Sequence, residues 1–369
     1  MKMISNDLRS SCRSLLLGAY QSGGDTPKDE KWEYPSDWLP LPEIGENEVA
    51  ALFFAPAGVG DNATVKFNCS NYPDSVDWGD PGGDNTDNTQ HIYAFERGTP
   101  YNDKVSMFVL KAHFPQNGDF GYFMTGAGFI AACAVNGSAI APGTNAIVEN
   151  SPKSWLQYIK ITGDMTNFEN RAAFIEDMPS LRRVDFENSP TNLADYMFNR
   201  CYNLTPANMP DLSAVKSVGW NCFKDCVSLS EIKLPALTTA GRNFCEKCYG
   251  LKNAYLPALE TIEDYGFANC QSLCDADFPQ LTTAGNGFLS SNNYSLKKLS
   301  LPKLQTVGDS SFYSCYALET ADLRSLTTVV NNKMGHYCYS LRELNMPNID
   351  KTQSGIFPHS YLIKQTEEE

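Results

Sequence analysis

From about residue 200 onward the apolar positions of this chain fall into a fixed frame. Aligned on "LPAL", the segments Leu234-Pro-Ala-Leu237, Leu256-Pro-Ala-Leu259, Phe278-Pro-Gln-Leu281, Leu301-Pro-Lys-Leu304, Leu323-Arg-Ser-Leu326 and Met346-Pro-Asn-Ile349 begin 22, 22, 23, 22 and 23 residues apart. Eight residues before each start comes a C-x-x-L step: Cys226 with Leu229, Cys248 with Leu251, Cys270 with Leu273, Cys315 with Leu318 and Cys338 with Leu341. Asn293 takes the cysteine's place before Leu296. A looser copy carries Cys201, Leu204 and Met209-Pro-Asp-Leu212, and a degenerate one runs from Met178 through Leu181, Val184 and Phe186. One such unit cannot bury its own apolar side. Stacked units can, so the pattern predicts a solenoid of about seven turns.

Within a turn, "SLSEIKLPAL" points Leu229, Ile232 and Leu234 inward between polar neighbours, the period of a short strand that proline then ends. "TTAGRNFCEKC" supplies the glycine and the aromatic that bring the chain back, Phe244 here and Phe223, Phe267 and Phe312 elsewhere. Stacking therefore predicts buried files of leucine, phenylalanine and cysteine. That prediction bears on Cys245 and Cys248, which form a C-x-x-C that invites a zinc reading. Cys248 belongs to the repeated file, Cys245 falls where sister turns carry Phe223, Phe267 and Phe312, and no second ligand pair lies in a matching turn. Both are expected to be core residues. Six of the 12 cysteines share one repeat position, so their side chains should run parallel, and reduced thiols are expected.

A different alternation occupies the middle of the chain. Val65, Phe67 and Cys69 alternate with polar residues, "VDWGD" follows at 76–80, then a Gly/Asp/Asn stretch, then His91-Ile-Tyr93. Later strands are expected at Val105–Val109 and Phe129–Ile130. Trp78 is the expected core aromatic, and Asp80 the side chain that caps the turn. Asp80, Asp84 and Asp87 with Asn85 and Asn88 offer oxygen ligands, but their spacing departs from the D-x-[DN]-x-[DN]-G calcium loop, and a solvated hairpin loop is expected. His91 has no nucleophile to pair with and reads as a structural donor. No G-x-S-x-G, Cys/His/Asn frame or glycine-rich phosphate loop occurs, and no enzyme activity or cofactor is expected.

Composition narrows the partners. Apolar residues make up 42% and charged residues 20%, ordinary proportions for globular cores. The net charge of −14 repels phosphate backbones and anionic lipid, so neither nucleic acid nor membrane is an expected partner. "FMTGAGFIAACAV" at 123–135 is shorter than the roughly 20 residues of a membrane helix and reads as buried strand. Lys2, Asp7, Arg9 and Arg13 leave the N-terminus without a secretory apolar run. "KWEYPSDWLPLPEIGENE" sets Trp32, Tyr34, Trp38 and Leu39 among prolines, an extended segment that lays aromatics on a surface, whether its own chain's or another's.

The frame of Phe223, Cys226, Leu229, Ile232, Leu234 and Pro235 resembles the BspA-type (Treponema-pallidum-type) leucine-rich repeat, a family whose members are mostly cell-surface adhesion or ligand-binding proteins. "DWGD" with His91 and Tyr93 resembles the PKD-type β-sandwich signature. "PSDWLPLP" resembles a segment near the start of tail and virion proteins of phages that infect Bacteroidetes. Together the resemblances imply a mainly β chain: an anchor segment over 1–47, a PKD/immunoglobulin-like sandwich over 48–148, a repeat solenoid over 149–357 and a tail over 358–369. The function they imply is a non-catalytic virion component, in the tail or a head fibre. It would be oligomeric within its assembly, docking on other virion proteins through Trp32, Tyr34, Trp38 and Leu39. The solenoid would meet a host cell-surface protein or glycan. The alternative is a Bacteroidetes surface adhesin or glycan-binding protein. The polar positions Glu231, Lys233, Lys297, Lys298 and Ser300, which vary between turns, are the expected binding face.

Overall fold

The computed structural model describes residues 33–56, 63–67, 73–83, 86–88, 90–93, 95–103, 105–113, 130–133, 156–162, 175–291, 293–349 and 356–357. Among them there is no α-helix, and the fold is mainly β. Residues 35–369 form one compact unit.

The first strands are β1 (Glu48–Pro56), β2 (Ala63–Phe67), β3 (Ser75–Asp77), β4 (Gln90–Tyr93), β5 (Thr99–Asn102), β6 (Val105–His113), β7 (Ile130–Cys133), β8 (Leu156–Ile161) and β9 (Arg183–Phe186). One sheet runs β3-β6-β1-β8-β9 with β5 also on β6, and a second runs β4-β2-β7. Their side chains meet around Tyr93, whose ring lies 6.3 Å from Phe53 of β1 and 4.6 Å from Phe108 of β6. Trp78 is fully buried, with its indole N–H donating to the Asp87 carbonyl at 3.0 Å. Gly79 after it has φ +66°, and a Cβ there would lie 2.0 Å from the Val109 carbonyl oxygen. The turn in "DWGD" therefore needs glycine on two counts.

The first sheet continues through β8 into the strand that precedes the turns. β8 pairs antiparallel with β1, Val49 facing Ile161, and on its other edge parallel with β9, Tyr158 facing Arg183. One strand thus closes the first sheet and opens the stack of turns.

Thirteen short strands build the turns: β10 (Asn192–Leu193), β11 (Ser217–Val218), β12 (Glu231–Lys233), β13 (Thr239–Ala240), β14 (Asn253–Tyr255), β15 (Thr261–Ile262), β16 (Asp275–Asp277), β17 (Thr283–Ala284), β18 (Lys298–Ser300), β19 (Thr306–Val307), β20 (Thr320–Asp322), β21 (Thr328–Val329) and β22 (Glu343–Asn345). Every pairing among them is parallel and in register, one turn to the next. They form a seven-stranded sheet β10-β11-β13-β15-β17-β19-β21 and two three-stranded sheets, β12-β14-β16 and β18-β20-β22. The break between β16 and β18 falls at the turn where Asn293 follows Cys270 by 23 residues rather than 22. Leu229, Leu251, Leu273, Leu296, Leu318 and Leu341 are all fully buried, as are Leu237, Leu259, Leu281, Leu304 and Leu326. Each such side chain contributes about 1.5–3 kcal/mol by leaving water.

Candidate functional site

Of the expected binding positions, Glu231 and Lys233 flank the buried Ile232 on β12, and Lys298 and Ser300 flank the buried Leu299 on β18. All point outward, but the two strands belong to different sheets. Lys233 pairs with Glu231 at 2.8 Å, and Lys297 reaches Glu319 of the next turn at 4.0 Å. Arg342 also pairs with Glu319 from the turn beyond. Exposed pairs of this kind contribute little energy. The face is polar and varied, and Glu231 with Lys233 and Glu319 with Lys297 and Arg342 pair off within it.

In the N-terminal segment Trp32 lies outside the described residues, and Tyr34 and Leu39 are half-buried. Trp38 is only 5% exposed. Its ring meets Phe54 of β1 edge-on at 5.4 Å, with the Arg182 guanidinium 5.8 Å from its centroid. Trp38 therefore straps the first sheet to the turn that leads into β9, which leaves its ring little surface to offer another chain.

A different surface comes together at the last turns. The residue after the cysteine position is tyrosine in Tyr294, Tyr316 and Tyr339, one on each of three successive turns. Their rings stack at 5.5 Å and 8°, then at 5.9 Å and 24°. Tyr337 joins Tyr339 at 5.9 Å and Tyr313 at 5.4 Å, extending the ladder sideways. Tyr294 is 51% and Tyr339 46% exposed. The cause is local. The cysteine side chain turns in, the next residue turns out, and a residue with positive φ (Ser314 at 60°, Tyr337 at 63°) bends the chain just before it. Sequence reasoning missed this file. Its signal was the recurrent "CY", in Cys201-Tyr202, Cys248-Tyr249, Cys315-Tyr316 and Cys338-Tyr339, with Asn293-Tyr294 in the variant turn.

Beneath the ladder the cysteines form a ladder of their own. Each thiol donates to a carbonyl of the preceding turn: Cys226 to Phe198 at 3.1 Å, Cys248 to Phe223 at 3.0 Å, Cys270 to Cys245 at 3.1 Å, Cys315 to Leu289 at 3.3 Å and Cys338 to Phe312 at 3.2 Å. The nine cysteines from Cys201 to Cys338 are all free thiols. Burial pushes the Cys226, Cys245 and Cys270 thiols far above their ordinary range and Cys338 up to about 12. The C-x-x-C has a packing cause. The Phe223 N–H donates to the Phe244 carbonyl at 2.9 Å, so Phe244 is placed one residue earlier in its turn than Phe223 in its own. The ring file still continues, Phe198 to Phe223 at 5.2 Å, Phe223 to Phe244 at 5.7 Å and Phe244 to Phe267 at 5.7 Å. Cys222 with Phe223, Phe244 with Cys245 and Gly266 with Phe267 each supply one ring and one small partner. No group of three or more His, Cys, Asp or Glu that could hold a metal occurs among the described residues.

The repeats match the BspA type leucine rich repeat region family in six copies, over residues 145–252 and 238–364 of the 369. The chain belongs to this family. Among solved structures it is similar to the T. pallidum leucine rich repeat protein, at 28% identity over 34% of this chain and 72% of that one, with a TM-score of 0.29. It is also similar to a leucine-rich repeat protein of Bacteroides ovatus, at 24% identity over 52% and 60% with a TM-score of 0.37. A leucine rich cell surface protein of Faecalibacterium prausnitzii is 15% identical over 53% and 62%, with a TM-score of 0.30. The chain thus spans about three fifths of the length of the last two relatives. No curated protein matches it.

Ahead of the BspA-type match lies the one buried ionic cluster of the first sheets' described part. Asp80, 1% exposed, accepts from His91 Nε2 at 2.9 Å and from Arg97 Nε at 2.8 Å. Burial raises its carboxyl, but the bonds from Arg97 and His91 outweigh that and hold its pKa below the ordinary value. The Asp77 carboxylate accepts from the Gly79 N–H at 2.9 Å in the same turn. Asp80 is enclosed because "WGD" returns it under the His91 ring, which stacks on Trp78 at 5.4 Å. Its oxygens are engaged by donors from His91 and Arg97, a poor start for a calcium site; Asp84 and Asn85 of that loop lie outside the described residues.

Proposed function

We propose that this chain is a non-catalytic binding protein of the bacterial cell surface, in which the solenoid is the recognition element and the tyrosine file of its last turns the contact surface. The observation that carries the reading is the set of mutually packed rings at Tyr294, Tyr316 and Tyr339, the outer two exposed and the central one half-buried, mounted on fully buried Leu and Cys files. Tyrosine gives a large, rigid, amphipathic contact at low entropic cost, the composition that recognition surfaces favour. The surface location is supported by the resemblance to a family of mostly cell-surface adhesion proteins. The "DWGD" to His91-Ile-Tyr93 arrangement supports reading the first two sheets as PKD/immunoglobulin-like, a module that would carry the solenoid rather than act by itself.

A virion component is the second reading, resting on "PSDWLPLP". It ranks behind because Trp38 of that stretch is drawn into the chain's own packing. The test is binding of the fluorescently labelled full chain to bacterial and epithelial cells, by flow cytometry. The triple variant Tyr294→Ala, Tyr316→Ala, Tyr339→Ala should lose binding at least tenfold. Unchanged binding by that variant, with loss on Lys297→Ala and Lys298→Ala instead, would move the site to the strand face.

A further inference from the structure

The tyrosine ladder has a period, and a period constrains the partner. Its rungs sit one per turn, 5.5 and 5.9 Å apart, with near-parallel rings. A ligand that uses every rung must repeat at the same pitch. An extended peptide presents side chains on one face about every 6.7 Å, out of step by the second rung. A folded protein surface has such a period only across a stack of strands, and there the spacing is about 4.8 Å. A linear polysaccharide advances by about one rung per hexopyranose unit, with C–H faces for the rings and hydroxyls for the phenols. Each tyrosine offers that pair of contacts, an apolar body and a polar tip.

Charge selects among polysaccharides. The net charge of −14 opposes sulfated or uronic acid chains. In the charged file alongside, Glu319 takes both Lys297 and Arg342, which leaves few cations there for a polyanion. We propose that Tyr294, Tyr316 and Tyr339 bind a neutral linear polysaccharide that runs along the solenoid, one sugar per rung. This rests on the tyrosine file being the recognition surface, and it names the ligand class of that surface.

Native electrophoresis of the full chain through gels cast with galactomannan, xylan or mixed-linkage β-glucan tests it, with heparin as the polyanion control. At least one neutral polymer should retard the protein, and heparin should not. Tyr316→Ala, the central rung, should weaken retardation tenfold or more with an unchanged circular dichroism spectrum, and so should Tyr294→Ala, whose more exposed ring makes misfolding a lesser concern. Tyr316→Phe, which keeps the stack and loses the hydroxyl, should fall between. Failure of every neutral polymer to retard a folded protein overturns the proposal, as does equal retardation of the alanine variants. Cell binding separates this from the broader reading. Loss after periodate treatment of the cells, with survival after protease treatment, supports a glycan. The reverse pattern overturns the glycan while leaving the tyrosine file as the recognition surface.

Discussion

Asp80 is a single side chain on which the first two sheets depend. Its carboxylate is buried between His91 and Arg97, and removing one partner of such a cluster leaves the others' charge and donors unmatched. Asp80→Asn should destabilise the folded chain by about 3 kcal/mol. The pH dependence follows from the direction of the shift. A carboxyl held below its ordinary pKa in the fold stabilises the protein at pH above the unfolded value, near 3.9, and that stability is lost as pH falls through the lower, folded value. Urea midpoints measured from pH 7 to pH 2.5 should therefore show the wild type losing stability below about pH 4. The variant should show a shallower acid limb. An identical limb in both proteins would mean that the Asp80 carboxylate is not selectively stabilised in the fold.

At the scale of one turn, the variant fourth turn shows what the cysteine does. Asn293 sits fully buried in the cysteine file, its amide donating to the Leu289 carbonyl at 2.8 Å while its Oδ1 finds no donor among the described residues. A buried acceptor left unpaired costs about 1–3 kcal/mol. Asn293→Cys removes it and supplies a thiol at the height of Phe267, the carbonyl that the file leaves without one. The melting temperature should rise, by an amount equivalent to about 1 kcal/mol. A fall would mean that the extra residue in this turn has moved the position out of the file. The turns were legible in the sequence because burial repeats: every inward Leu and Cys must recur for the stack to close. Tyr294, Tyr316 and Tyr339 were not, because outward positions obey no packing rule, and a "CY" pair reads as core until the chain's reversal is seen. The displacement of Phe244 by one residue was legible as well, because Cys245 falls where sister turns carry Phe223, Phe267 and Phe312. A ring and a small side chain can exchange places within a turn without disturbing the 22-residue period.

Over the whole unit, β8 makes two modules into one. It accepts β1 on one edge and β9 on the other, so the solenoid's first strand has no free edge and the first sheet passes its register directly to the turns. Trp38 reinforces the junction from outside, touching both Phe54 of β1 and Arg182 ahead of β9. The opposite end is closed differently. Gly335 stands where Phe312 stands one turn earlier, and Phe357, stacked on Phe312 at 6.4 Å, fills the space a side chain at Gly335 would take. A solenoid needs such caps, since an end turn exposes an apolar layer that interior turns cover. A cut at 148 would therefore separate β8 from β1. A fragment of residues 149–369 would expose the β8 edge and the side chains covered by β1, whereas residues 35–369 keep both. The shorter fragment should aggregate, or melt on the order of 10 °C below the longer one, and lose hydrogen-exchange protection first at Leu156–Ile161. If both fragments melt together, with β8 equally protected, then the turns hold their own first strand and the junction contributes geometry without stability.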